Sequence, residues 1–244
     1  MIRISGVSKR MGDRPVIKDL SFEAADGTIN GLIGPNGAGK TTTLRLITGV
    51  LAPDSGNVRM DDVDPSVDFE KTRGAMGALL DHTGLYGRLT ARETLYYFGR
   101  LRGLRRAALQ ARVNEVVEQL GIEHIIDRRT AGLSQGELLK VALGCAILHR
   151  PKHILLDEPT NGLDPNAIIE LRETLKTLRD AGACVIFSSH VLSEVQALCD
   201  RVVVLASGTV ATQGTVSEVC QASGTSTLEP AFLQLTRQNI SSED

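Results

Sequence analysis

The run Gly34-Pro35-Asn36-Gly37-Ala38-Gly39-Lys40-Thr41 constrains this chain more than any other segment, because it fits the phosphate-loop pattern G-x-x-x-x-G-K-[ST] at every fixed position. Its surroundings fit as well. Thr28 to Ile33 reads as a short buried strand, and Thr41 to Thr48, with apolar Leu44, Leu46 and Ile47, reads as a helix that stops at Gly49. A strand, a glycine loop and a helix N-terminus make an anion site. The glycines let successive backbone N–H groups face a phosphate, and the helix dipole favours negative charge there. Lys40 is expected to reach the β- and γ-phosphates of a nucleoside triphosphate, and the Thr41 hydroxyl to bind Mg²⁺. The bland alternative is an ordinary glycine turn. The filled fixed positions and the strand–loop–helix context weigh against it.

A phosphate loop alone does not choose between kinase, GTPase, motor and transporter. Ile154-Leu155-Leu156-Asp157-Glu158 is an apolar run ending in two carboxylates, which suits a buried parallel strand. Carboxylates at its C-terminal end emerge where open α/β sheets bind ligands. Asp157 is then placed to hold Mg²⁺ and Glu158 to polarise an attacking water as general base. Just upstream, Ser134 with Glu137 three residues later forms a capping box, opening a helix to about His149 with Leu138, Val141, Ala142, Cys145 and Leu148 on one face. That helix N-terminus is either a second phosphate site or a plain cap.

In this order the segments resemble the ATPase subunit of an ATP-binding cassette (ABC) transporter. Gly34 to Thr42, including Thr42, match Walker A. Leu133-Ser134-Gln135-Gly136-Glu137 match the signature L-S-G-G-Q in the form L-S-Q-G-E. Ile154 to Glu158 match Walker B, Asn161-Gly162-Leu163-Asp164 match the D-loop, and His190 after Ser188 and Ser189 matches the switch histidine. The resemblance covers almost the whole chain. It implies an α/β P-loop NTPase fold with an ABC-specific antiparallel β region and an inserted helical lobe. It also implies ATP and Mg²⁺ as cofactors, and two cassettes, as homodimer or heterodimer, sandwiching two ATP molecules head to tail. Ser134 and the Gly136 amide would then act on the partner's nucleotide, Gln135, Glu137 and Asp164 would count among the nucleotide-binding residues, and His190 would contact the γ-phosphate and help hold the attacking water. Hydrolysis would drive a separate membrane permease.

Composition agrees with that class. The 244 residues are 42% hydrophobic and 23% charged with a net charge of −2, as in a globular chain without an overall polyanion-binding surface, so no nucleic-acid partner is expected. No stretch approaches the ~20 apolar residues of a membrane span. Met1-Ile2-Arg3-Ile4-Ser5 alternates like a strand and lacks a signal-peptide core. The expected location is the cytoplasm, peripheral on the inner face of the membrane through the permease. Cys145, Cys184, Cys199 and Cys220 show no C-x-x-C spacing, and Cys145 and Cys184 read as reduced core residues.

The chain reads as a single ABC ATPase domain over 1–220, its core and β lobe in about 1–87 and 151–220 and its helical lobe in about 88–150, with a short C-terminal helix and polar tail over 221–244. Residues up to about 60 read as short strands with turns at Gly12-Asp13, Asp26-Gly27 and Pro53 to Gly56. Thr90 and Glu93 form a capping box for a helix to Gly103, and Leu109, Val113, Val116, Val117 and Leu120 trace a helical face ending at Gly121. Asp164 caps the next helix with Pro165 at its first position. Gln221 to Thr225 reads as a polar linker before a last short helix over Leu228 to Leu235.

Three positions depart from the usual cassette. Met11 stands where the family places an aromatic to stack on adenine, which predicts weaker base recognition and some tolerance of GTP; an ordinary turn methionine is the alternative. Asp81 replaces a glutamine that touches Mg²⁺ and the attacking water. The segment from Asp81 to Glu93 resembles the sodium-extruding branch of bacterial ABC exporters, as does the run Leu228 to Leu235. Gln135 replaces the first signature glycine, and Glu137 is expected to turn back to the cap. Leu85 and Tyr86 fall where cassettes face their permease. Arg100 to Arg106 is either a lipid- or permease-facing patch or a solvated helix end. A soluble ABC ATPase associated with ribosomes or chromosomes is the competing class. A guanine-reading N-K-x-D segment is missing, which counts against a GTPase.

Overall fold

A computed structural model describes residues 1–80 and 84–240. Strand β1 (Ile2–Met11) pairs antiparallel with β2 (Arg14–Ala24) and with β4 (Ser55–Met60), giving a three-stranded sheet in the order β2-β1-β4. These strands correct the expectation of short ones: β1 has 10 residues and β2 has 11. Register shifts after Ile4 and Val7 let the pair stay long while twisting, and Gly6 takes a φ of 60° there.

The second sheet has the order β5-β6-β7-β3-β8-β9, from β3 (Ile29–Ile33), β5 (Met76–Leu79), β6 (His153–Leu156), β7 (Cys184–Ser189), β8 (Arg201–Ala206) and β9 (Thr209–Gly214). All neighbours are parallel except β8 and β9. Strand alternation divides the core. Leu32, Leu155, Ile186 and Val203 face the antiparallel sheet and helix α1 (Lys40–Ile47), while Ile33, Ile154, Leu156, Val185, Phe187 and Val204 face the other way.

On that second face lie α3 (Ala91–Leu101), α4 (Arg106–Leu120), α5 (Gln135–Ile147) and α6 (Pro165–Asp180). Capping boxes at Thr90 and Ser134 start α3 and α5, Gly121 ends α4 at φ 60°, and Asp164 caps α6. Helix α5 is buried all round from Val141 to Ile147, wider than the single face expected, because it is enclosed between the helices and the sheet.

A short α2 (Phe69–Arg73) precedes β5, and α7 (Leu192–Leu198) follows β7. Helix α8 (Val216–Ala222) takes the first two residues of the expected linker, with a capping box of Thr215 and Glu218. Helix α9 (Leu228–Ile240) runs past Leu235. Cys145 and Cys184 are buried, and burial pushes both thiols up to about 12, as suits inert core residues.

Candidate active site

The strand order explains how distant segments meet. Strand β7 lies between β3 and β6, so the C-terminal ends of three parallel strands stand side by side. The phosphate loop leaves β3, Asp157 and Glu158 leave β6, and Ser188, Ser189 and His190 end β7 or follow it. This is the edge at which open parallel sheets bind ligands.

Backbone geometry makes the loop. A Cβ at Gly34 would meet Leu205 O at 2.6 Å and the Ala38 Cβ at 2.9 Å, so the buried start of the loop admits no side chain. Gly39, with φ 102°, precedes α1 in a conformation that favours glycine, and a Cβ there would lie 2.5 Å from Ile17 Cδ1. Pro35, Asn36 and Gly37 form the exposed crest, while Ala38 is buried. As at any helix start, the first backbone N–H groups of α1 lack an intrahelical partner, which suits them to an anion.

Lys40 is 7% exposed, and its Nζ donates to Gly34 O at 2.8 Å and to Pro35 O at 3.4 Å. The same ammonium lies 3.4 Å from Glu158 Oε1. The other oxygen of Glu158 is 2.5 Å from His190 Nδ1. With the carboxylate ionised, the imidazole is the donor. Thr41 Oγ1 donates to Asp157 Oδ2 at 2.7 Å. Thr41 and Asp157 thus offer hard oxygen donors side by side, a set that suits Mg²⁺ bound jointly with a nucleotide phosphate. The cleft around Lys40 measures about 400 Å³, and Val16, Thr42, Glu158, Asn161 and His190 are among the residues that line it.

Other predicted residues lie elsewhere. Met11, 42% exposed, lines an adjoining hollow of about 500 Å³ that shares Val16 and Gly37 with the cleft. None of residues 133–137 lines the cleft among the described residues. Ser134 and Gln135 are exposed at the start of α5, and a Cβ on Gly162 would come 2.4 Å from Gln135 Oε1, so the glutamine lies against its own chain's D-loop. Gly136 packs towards Ala167, where an added Cβ would find the neighbouring Cβ at 3.1 Å.

Glu137 turns back as expected. Ser134 N donates to its Oε2 at 2.7 Å, and Arg128 Nη1 donates to its Oε1 at 3.0 Å. The backbone hydrogen bond from Ser134, helped by Arg128, holds the Glu137 carboxyl below its usual range against partial desolvation. Asp164 does not reach the cleft either: its Oδ1 accepts from Asn166 N at 2.9 Å and Ala167 N at 3.1 Å, as the cap of α6. Asp81, expected at the metal, lies outside the described residues.

Sequence reasoning overlooked Val16, which carried no signal beyond being one more strand valine. It also gave Ser188 no role of its own. Ser188 is fully buried, and its hydroxyl donates to Asp157 Oδ1 while accepting the Glu158 N–H at 2.9 Å.

A family model described as ABC transporter matches residues 17–161. The chain is 37% identical to the ABC transporter ATP-binding protein NatA of Bacillus subtilis, over 99% of this chain and 100% of that protein. It is 35% identical to the lipopolysaccharide export system ATP-binding protein LptB of Escherichia coli K12, over 88% of this chain and 90% of that one. Among solved structures, an ATP-binding subunit of an ABC transporter superposes with a TM-score of 0.88 at 29% identity, covering 97% of this chain and 99% of the other. CbiO1 of Clostridium perfringens, part of the ABC transporter complex cbiONQ, does so with a TM-score of 0.82 at 26% identity over 90% of each chain. No helix among the described residues is long and apolar enough to cross a membrane.

Proposed function

The chain belongs to the ABC transporter family as an ATP-binding, ATP-hydrolysing subunit, and we propose that it powers an exporter as one half of a head-to-tail pair docked on a separate membrane permease. One observation carries the pairing. The signature segment forms an exposed helix N-terminus started by a Ser134–Glu137 capping box, yet none of its residues lines its own chain's cleft among the described residues. An anion site of that kind beside no phosphate loop of its own is suited to the γ-phosphate held by a second chain.

In this reading Lys40 and the loop amides hold the β- and γ-phosphates. Thr41 and Asp157 hold Mg²⁺, which supplies charge neutralisation on the phosphate oxygens. Glu158 takes a proton from the attacking water as that water bonds to the γ-phosphorus, and ADP departs with the electrons of the broken P–O bond. His190 holds the Glu158 carboxylate through Nδ1. Ser134 and Gly136 serve the nucleotide of the partner chain.

This reading puts the permease face at Tyr86. Its ring is 55% exposed and meets Tyr97 edge-on with centroids 5.6 Å apart, while Leu85 anchors the segment to the core. Exposed aromatics held by packing favour interfaces. The subunit then sits on the inner face of the cell membrane. Sodium is the first solute to test, because the segment from Asp81 to Glu93 and the run Leu228 to Leu235 resemble the sodium-extruding branch. Affinity purification of the tagged chain from detergent-solubilised membranes should recover an integral-membrane partner, and Tyr86→Ala should lower that recovery without changing basal hydrolysis. Recovery of ribosomes or DNA in place of a membrane protein would overturn the transport reading. ATP-dependent sodium movement in inside-out vesicles decides the solute.

A further inference from the structure

We propose that Ser188 is a positioning residue that locks Asp157 and Glu158 into one unit. It sits at the end of β7, opposite Leu32 of β3 in parallel register, and so between the phosphate loop and the carboxylates of β6. It is fully buried. A serine hydroxyl has one hydrogen to give and lone pairs to receive. Here the hydrogen goes to Asp157 Oδ1, and a lone pair receives the Glu158 N–H at 2.9 Å. The second oxygen of Asp157 receives the Thr41 hydroxyl at 2.7 Å. One chain of hydrogen bonds therefore runs from the phosphate-loop threonine through Asp157 and Ser188 to the backbone of Glu158.

That backbone needs holding. Glu158 has φ 47°, the left-handed region, which crowds any residue with a Cβ. Its carbonyl is also engaged, receiving Asn161 N–H at 3.1 Å. Relaxation to an ordinary φ would re-aim the Glu158 side chain away from Lys40 and His190. Ser188 grips the amide of this strained residue and orients the carboxylate before it, so the metal site and the water-activating carboxylate keep a fixed relation. The inference rests on the reading that Asp157 holds Mg²⁺ and Glu158 activates water, and it adds the residue that couples the two.

The test compares Ser188→Ala, Ser188→Cys and Ser188→Thr in the full chain. Fluorescent ATP binding is measured without Mg²⁺ and then titrated with it, and hydrolysis is measured over a range of ATP. Ser188→Ala should bind Mg²⁺-free nucleotide as wild type does, which also shows that it folds. It should need about tenfold more Mg²⁺ for the same nucleotide affinity, and kcat should fall about 10- to 100-fold with KM changed less than about threefold, the scale of loss for a misplaced catalytic group. Ser188→Cys, close in size with a weak donor, should fall in between and decides the matter if the alanine variant does not fold. Ser188→Thr keeps the hydroxyl and should recover most of kcat. Wild-type kcat and Mg²⁺ dependence in the cysteine or alanine variant would overturn the proposal, as would equal losses in the threonine and alanine variants. Failure of the underlying reading looks different: Glu158→Gln would then hydrolyse ATP normally whatever Ser188 does.

Discussion

Replacing Glu158 by glutamine changes one oxygen to an amide nitrogen and removes one charge, and two separate effects follow from where that charge sits. As general base, the carboxylate is expected to contribute about 10²–10⁴-fold to hydrolysis. As the neighbour of Lys40 at 3.4 Å, it also competes with the nucleotide for the ammonium. At an effective dielectric constant of about 20, opposite charges at this spacing attract by about 5 kcal/mol before desolvation, which offsets most of it. If a net ~1–2 kcal/mol survives for this pair, of which Lys40 is 7% and Glu158 24% exposed, releasing it tightens ATP binding about 5- to 30-fold. Glutamine can still accept a hydrogen bond from His190, so the cleft should keep its shape. Phosphate release and equilibrium ATP binding, measured on the same preparation with Mg²⁺ present, read the two effects separately. Hydrolysis should collapse while affinity rises. Wild-type turnover would refute the base assignment, and unchanged or weaker affinity would refute the competition for Lys40.

Other consequences are smaller and local. Met11 offers the base a thioether and no ring, so GTP should be hydrolysed with a kcat/KM within about tenfold of ATP, and Met11→Tyr should tighten ATP about 2- to 10-fold by stacking; parallel assays with both nucleotides check this. The Glu137 carboxyl, held below its unfolded value of about 4.3, contributes stability that is fully present above that pH and is lost as pH falls through its lower folded value. Urea denaturation between about pH 5 and 3 should therefore show a shallower acid loss in Glu137→Gln, which starts about 0.3–1.5 kcal/mol less stable. Arg112 donates to Leu148 O and Ile147 O, each at 2.9 Å, closing the C-terminal end of α5. Arg112→Ala should cost about 2–4 kcal/mol and lower Tm by roughly 5–15 °C in a thermal scan.

The parts of this molecule that were legible in the sequence are those in which a local rule and a tertiary role coincide. Gly34 to Thr41 reads as a phosphate loop from a short window, because its glycines, lysine and hydroxyl fill every fixed position of that pattern. The Thr90, Ser134 and Asp164 caps are set by side chains two or three residues from the amides they satisfy, so they too are visible in a short window. Ser188 is the opposite case. Its partners stand 30 and 31 residues away, and only the placement of β7 between β3 and β6 gives its hydroxyl a purpose. The length of β1 and β2 was hidden by polar residues on their outer faces and by the register shifts that interrupt alternation. Helix α8 had its cap in plain view at Thr215 and Glu218. With only seven residues it depends on burying Val219 and Cys220 in the core, which no local pattern announces. Gln135 was legible as a departure, but its position against Gly162 was not.

The central claim is that each ATP is hydrolysed between the Lys40 of one chain and the Ser134 of another. Lys40→Ala and Ser134→Arg should each be inactive alone, because each breaks both sites of a symmetric pair. Mixed one to one, half of randomly formed pairs contain one chain of each kind. In such a pair one site carries both defects and the other carries neither. The mixture should therefore recover about a quarter of the wild-type rate per chain, if the two sites act independently. Recovery near that level is what head-to-tail sharing predicts. A mixture as inactive as its two components would contradict it and would return the whole of hydrolysis to a single chain, unless one active site cannot turn over alone; light scattering of the Glu158→Gln protein with ATP, which should show twice the monomer mass, separates those two outcomes.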